Sequence, residues 1–359
     1  MGEIKLYPLL RINLRKLRKN TQTIVNLCEK RNIKVVGVTK VFCGIPEIAQ
    51  AMVKGGVEIL GDSRIKNLKK LQHIPVFKML IRIPMISEVE EVIKYADISL
   101  NSEIDTIKSL AEEAKKHKKV HEIILMVDLG DLREGMLKED VIPAVEQIVK
   151  LEGIKLRGVG TNLTCYGSVI PTPDILEELV EIKNSINKKF DLNVDIVSGG
   201  NSSSLYLVQN GLIPKGITQL RIGEAIVLGR ETAFGDRIPH TYDDVFTLET
   251  QIIELKEKPS YPRGILGVNA FGERPVYVDR GIMKRAILAI GRQDVNMGDL
   301  IPIDSTIELI GASSDHLIVN VTNSPYPYKV GDIIKFKLTY GGILSCCTSE
   351  YVEKVIEEV

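Results

Sequence analysis

The sequence predicts an α/β protein: a parallel TIM (β/α)8 barrel over residues 1–235, followed by an all-β C-terminal domain over residues 236–359. Three observations carry this expectation. Short β-branched runs alternate with helical periodicity from about residue 30 to 230. Those runs are continuously apolar, as strands buried on both faces are, rather than alternating. After Gly235 the helical periodicity stops and strand-like runs recur at short spacing between Gly and Pro turns.

Taken in order, the first strand is Lys34 to Thr39, and the helix after it is Ile45 to Lys54, stopped by Gly55-Gly56. Seven further strands follow: Val57 to Gly61, Val76 to Ile83, Asp97 to Leu100, Glu122 to Asp128, Lys155 to Thr161, Val194 to Ser198 and Gln219 to Gly223. Helical patterns such as Ile104 to Lys116 and Val141 to Leu151 separate them. Eight such units in this length suit a closed barrel better than an open doubly wound sheet. A dinucleotide fold would want GxGxxG after the first strand, and Gly37-Val38-Thr39-Lys40 has none. In the second domain the expected strands are Val245 to Ile253, Arg274 to Asp279, Lys284 to Ala289, Ile307 to Leu309, Leu317 to Val321 and Ile333 to Leu338. A helical stretch is expected only at the last residues.

Composition narrows the function classes. Lys plus Arg is 47 and Asp plus Glu is 47, so the net charge is zero, against a globally basic nucleic-acid binder. With no Trp and 5% aromatics, a base-stacking platform is disfavoured. The five cysteines include no CxxC pair, and Cys346-Cys347 are adjacent, which suits neither a metal clip nor an ordinary disulfide. Met1-Gly2-Glu3-Ile4-Lys5 has no signal-like apolar core, and Ile123 to Val127 is too short to span a bilayer. The expectation is a cytoplasmic enzyme with a small-molecule substrate, no metal, and no nucleic-acid or membrane partner.

Chemistry in such a barrel gathers at the C-terminal ends of the strands. Lys40 ends strand one; there, partial burial would lower the amine pKa and make it a Schiff-base former. Strand five ends in Asp128-Leu129-Gly130-Asp131-Leu132-Arg133, and strand six in Gly160-Thr161-Asn162-Leu163-Thr164. Strand seven runs into Ser198-Gly199-Gly200-Asn201-Ser202-Ser203-Ser204, whose hydroxyls and backbone N–H groups suit an anion. Strand eight ends in Leu220-Arg221-Ile222-Gly223-Glu224-Ala225. A lysine facing an anion cradle points to a phosphorylated aldehyde cofactor, and an aldolase-type barrel fits the same pair.

These motifs resemble the fold-type III pyridoxal-phosphate racemases: the alanine racemase architecture, and within it the ornithine racemase-like branch. The likeness runs over nearly the whole chain, on Gly37-Val38-Thr39-Lys40-Val41-Phe42, Leu220-Arg221-Ile222-Gly223-Glu224, Ser198 to Ser203, Asp128 to Arg133 and Pro259-Ser260-Tyr261. It implies pyridoxal 5'-phosphate on Lys40, with Arg133, Asn162, Asn201, Ser202, Gly223, Glu224 and Tyr351 around the cofactor. It also implies Arg221 at the pyridine nitrogen, where a guanidinium that has no acceptor would leave the ring unprotonated. Racemisation moves a proton from one face of Cα to the other, for which two bases are convenient, and the resemblance implies Lys40 on one face and Tyr261 of the partner subunit in a homodimer on the other.

Three departures from the family pattern bear on substrate. Alanine racemases often place a carbamylated lysine two residues before the strand-five aspartate to brace the arginine; Met126 stands there, so Arg133 must be held otherwise. Asn162 replaces the histidine that stacks on the cofactor. An aromatic gate is replaced within Gly291-Arg292-Gln293-Asp294, and the loop that lends a backbone N–H to the substrate carboxylate corresponds to Gly311 to His316, with Ser314 in it. Arg133 and Ser314 are thus expected at the substrate. A more polar gate suits ornithine or lysine, with Asp294 or Asp315 receiving the side-chain ammonium. Alanine or broad-specificity racemisation is the alternative reading. More distant are a basic amino-acid decarboxylase, which would want a glutamate in place of Arg221, and a non-catalytic pyridoxal-phosphate carrier, which would lack the second domain.

Overall fold

The computed structural model describes residues 6–358. They divide into two compact units: residues 15–242, and the chain up to Leu14 together with Asp243 onward. β1 (Leu9–Asn13) runs directly into α1 (Leu14–Glu29). Strands and helices then alternate: β2 (Lys34–Val38), α2 (Pro46–Lys54), β3 (Ile59–Asp62), α3 (Ile65–Lys70), β4 (Phe77–Leu80), α4 (Val89–Tyr95), β5 (Ile98–Asn101) and α5 (Ile104–Lys116). The second half repeats the alternation with β6 (His121–Met126), α6 (Lys138–Ile148), β7 (Ile154–Thr161), α7 (Pro173–Phe190), β8 (Ile196–Gly199), α8 (Leu205–Gln209), β9 (Gln219–Ile222) and α9 (Glu224–Leu228).

Strands β2 to β9 are parallel neighbours and close into a barrel, with Val36 of β2 opposite Arg221 of β9. Val36, Met79, Ile98, Leu100, Ile124 and Met126 pack as one buried cluster, with Ile59 and Ile196 against it. Behind the sheet, Ile65, Leu68, Val92, Ile93, Leu110 and Ala114 pack with Leu80. Apolar burial on both faces explains why these strands read as continuous rather than alternating.

The other unit contains β10 (Phe246–Pro259), β11 (Ile282–Leu288), β12 (Leu300–Pro302), β13 (Glu308–Ala312), β14 (Leu317–Asn320), β15 (Ile333–Leu338), α10 (Tyr340–Thr348) and β16 (Glu353–Glu357). Its strand order is β12-β15-β10-β11-β14-β13, antiparallel throughout, and β1 joins it between β10 and the parallel β16. Two expectations are corrected here. Arg274 to Asp279 is not a strand: β10 and β11 pair only through Ile252–Pro259 and Ile282–Leu288, which leaves residues 260–281 without a ladder. The last residues are not helical either. The helix comes earlier, with the Thr339 hydroxyl at its N-cap, and Glu353–Glu357 pairs with β1. Among the described residues no helix is long and apolar enough to cross a membrane.

Candidate active site

At the barrel mouth, β2 ends and Thr39 leads into a single 3-10 turn, Lys40–Phe42. The Lys40 side chain is half-buried, and its amine pKa is lowered by desolvation, with the Arg133 charge acting in the same sense; Cys165, Asp62 and Glu134 oppose them. Asp62, fully buried at the end of β3, holds the turn from behind. It accepts hydrogen bonds from Thr39 Oγ1 (2.6 Å), the Arg64 N–H (2.8 Å) and Asn67 Nδ2 (3.1 Å). Burial raises the Asp62 pKa, while the Thr39 bond works against that rise.

Arg133 is carried by the loop after β6. Asp128 Oδ1 accepts from the N–H groups of Gly130 (2.9 Å) and Leu132 (3.2 Å), which coils the loop. Gly135, at φ +136°, closes it so tightly that a Cβ would lie 2.3 Å from Asp128 N. Arg133 Nε and Nη2 both donate to the Glu134 carboxylate, and Nη1 meets Cys165 Sγ. Cys165 is itself anchored: the buried Asp131 carboxylate accepts from the N–H groups of Cys165 (3.2 Å), Tyr166 (3.1 Å) and Val169 (3.4 Å). The Glu134 hydrogen bond is the main reason the Arg133 pKa is raised, against the effect of burial.

Across the mouth, Arg221 is buried with only neutral acceptors: Ser198 Oγ (2.6 Å), Thr161 O (2.7 Å) and, at the edge of range, Asn162 Oδ1 (3.4 Å). Desolvation pulls its pKa down to about 10, with the Glu134 charge acting the other way. Asn201 Nδ2 donates to Leu163 O (2.8 Å) and Asn162 Oδ1 (3.1 Å), and its Oδ1 caps Ser203 N (2.8 Å). Gly200 turns the chain at φ +108°, where a Cβ would meet Ser204 Oγ at 2.8 Å. Ser202 Oγ accepts from the Ala225 N–H at 3.2 Å, which joins this loop to the start of α9. Gly223 is the N-cap of that helix, and the Glu224 carboxylate is engaged by Arg230 at 3.0 Å.

Among the described residues, the buried polar atoms without a hydrogen-bond partner at this end of the barrel include Thr161 Oγ1, Asn162 Nδ2 and Ser203 Oγ. All three can donate, and buried donors are normally paired. Together with a buried guanidinium that meets no carboxylate, they fit an anionic group bearing an unprotonated ring nitrogen.

Residues 12–231 match the family described as "Alanine racemase, N-terminal domain". The chain belongs to the alanine racemase family. It is an amino-acid racemase, an isomerase. It is 54% identical over 350 residues to the ornithine racemase of Acetoanaerobium sticklandii, covering 97% of this chain and 99% of that protein. It is 44% identical over 353 residues to the lysine racemase of Thermotoga maritima, covering 98% and 99%. Its fold is similar to that of the alanine racemase of Bartonella henselae with covalently bound pyridoxal phosphate (TM-score 0.74, 17% identity, 98% of this chain and 100% of that one).

Of the residues expected at the site of this racemase, Lys40, Arg133, Asn162, Asn201, Ser202, Arg221, Gly223 and Glu224 all belong to the barrel unit. The other five belong to the β unit. Tyr261 is 46% exposed and stands edge-on to Tyr277, ring centroids 6.4 Å apart. Asp294 is buried, with Ser349 Oγ donating to its carboxylate at 2.7 Å. Asp315 is exposed and bonded to His316, Ser313 and Ser314. Tyr351 is exposed, its N–H on Ser349 Oγ at 3.1 Å. Sequence reasoning did not single out Asp62, Asp131, Glu134 or Cys165. Asp62 had a signal, an aspartate directly after a buried strand run. Asp131 and Glu134 lay inside or beside the Asp128–Arg133 motif, but their partners are set only by loop closure.

Proposed function

We propose that this protein racemises ornithine, with lysine as a second substrate, using pyridoxal 5'-phosphate attached to Lys40. The observation that carries the substrate is full-length similarity of 54% to a protein named ornithine racemase, against 44% to one named lysine racemase. The observation that carries the cofactor is the set of unpartnered donors at the barrel mouth beside a half-buried lysine. Pyridoxal phosphate, when bound, delocalises the charge left at Cα as the α-proton departs. Ser202, Ser203, Asn201, Gly223 and the backbone at Glu224 would hold its phosphate. Arg221 would donate to its ring nitrogen, and Arg133 would orient cofactor and substrate carboxylate. Tyr351 would reach the phosphate and Ser314 the substrate carboxylate.

Lys40, with its lowered pKa, exchanges a proton at one face of Cα. Tyr261 of the partner subunit serves the other face. A second copy is supported by the segment around Tyr261, where Ile265 (105%), Val276 (92%) and Val278 (69%) are exposed without internal cover. In this division of labour the barrel unit binds the cofactor, and the β unit lends the second base. None of the five cysteines forms a disulfide, which suits a reducing cytoplasm.

Asp294 is better suited than Asp315 to a side-chain ammonium. Asp315 pairs with a potential cation, His316 (3.0 Å), whereas Asp294 meets only the neutral Ser349 hydroxyl (2.7 Å) and lines a cavity of about 200 Å³ with Gln293, Ser345 and Arg292, whose guanidinium is engaged by Glu273. Racemisation assays on alanine, ornithine, lysine and serine test the substrate; a strong preference for alanine would sink it. Deuterium uptake at Cα without CO2 release separates racemase from decarboxylase. Tyr261→Phe should block exchange on one face only, and unchanged turnover of both enantiomers would refute its role.

A further inference from the structure

Met126, where related enzymes brace the arginine with a modified lysine, is a buried thioether packed in the barrel core. It offers Arg133 no charge and no acceptor of consequence. We propose that Glu134 is the positioning residue of this site: its carboxylate fixes the orientation of Arg133 and offsets the charge that Arg133 brings to Lys40.

Geometry supports the first part. Both Glu134 oxygens engage the guanidinium, at Nε and Nη2, the fork arrangement that fixes a planar cation in direction as well as distance. The Glu134 side chain is 17% exposed against 39% for Arg133, so the acid is the better buried of the two partners. Nη1 is taken by Cys165, whose loop is latched by the buried Asp131 carboxylate. The guanidinium is therefore held through three nitrogens by two loops that leave adjacent strands.

Charge supports the second part. The ionisable groups that act on Lys40 are Arg133, Cys165, Asp62 and Glu134. Arg133 disfavours the protonated amine and Glu134 favours it; the same opposition acts on Arg221. Glu134 is thus the acid shared by three cations at the mouth, and its removal would leave Arg133 uncompensated.

Two substitutions in the full-length chain separate the fork from the charge. Glu134→Asp keeps the charge but withdraws both oxygens from the guanidinium by one methylene; Glu134→Gln removes the charge and keeps one acceptor. The first readout is the rate of phenylglyoxal labelling at Arg133, measured by peptide mass spectrometry; it should rise several-fold in both variants. The second is the pH midpoint of Lys40 acylation in cofactor-stripped protein; it should fall in Glu134→Gln and stay near wild type in Glu134→Asp. Unchanged Arg133 labelling overturns the fork, and an unmoved Lys40 midpoint in Glu134→Gln overturns the charge role. If Glu134→Gln does not fold, Glu134→Asp decides: faster Arg133 labelling with an unmoved Lys40 midpoint supports the proposal, and slow labelling refutes it. The proposal rests on the functional reading only for its consequence in turnover. Both labelling readouts need neither cofactor nor substrate, so they can fail while racemase activity stands, and the reverse.

Discussion

Two arginines at opposite ends of the barrel, Arg157 and Arg221, use charge in opposite ways. At the N-terminal end of the strands, Arg157 is paired with both Glu122 (2.7 Å) and Asp195 (3.1 Å), and the exposed Lys34 with Glu58 at 3.1 Å. At the C-terminal end, Arg221 is buried among neutral acceptors, beside donors of Thr161, Asn162 and Ser203 that have no partner. Surface pairs contribute little each and tolerate change, whereas a buried unpaired group costs stability and persists where a ligand will meet it. The same fold thus separates an end that serves stability from an end that serves chemistry.

That contrast can be broken experimentally, and the largest effect should come from the mouth. Lys40→Ala should lower racemase activity by about 10³-fold or more and abolish borohydride-sensitive visible absorbance; retained colour would remove Lys40 from its role. Next, Arg221→Met should lower turnover by about 10²-fold. The same variant should melt no lower than wild type, because an apolar chain of similar length relieves the buried charge. A melting temperature several degrees lower would show that Arg221 holds the barrel together instead.

The third effect sharpens the other end. His121 begins β6, buried against Ser99 Oγ at 2.8 Å, and burial pushes its pKa down to about 4. The unfolded chain takes up a proton near the ordinary value of about 6.5, so the unfolded state gains protons first as pH falls. Its stability contribution is therefore complete above about pH 6.5 and lost between there and about pH 4. Thermal melts of His121→Asn against wild type should converge as the pH is lowered through that window; parallel curves would deny the buried neutral imidazole. The smallest effect is expected at Arg157→Ala, costing about 1 kcal/mol or less and leaving kcat within about twofold.

The barrel was legible because each of its strands announces itself locally. The runs from Lys34 to Gln219 are apolar on both faces, and their spacing is set by helices of 3.6-residue period. Lys40, Arg221 and the Gly200–Ser204 loop were legible for the same reason, since each ends a strand that can be counted. The β unit was harder. Arg274 to Asp279 has strand-like composition but no partner to pair with, and composition does not report pairing. The Asp131 latch joins positions 34, 35 and 38 residues apart, so nothing near it in the chain predicts its partners.

By itself, then, the amino-acid order determined the number of barrel strands, their parallel direction, and which barrel residues end those strands, because those follow from periodicity and from where a buried run stops. Tertiary structure alone decided that β1 pairs with β10 and β16, that Asp62 backs the Lys40 turn, and that Glu134 grips Arg133. Each of these is a through-space hydrogen bond between groups that many neighbours could have satisfied, and only closure of the chain selects one.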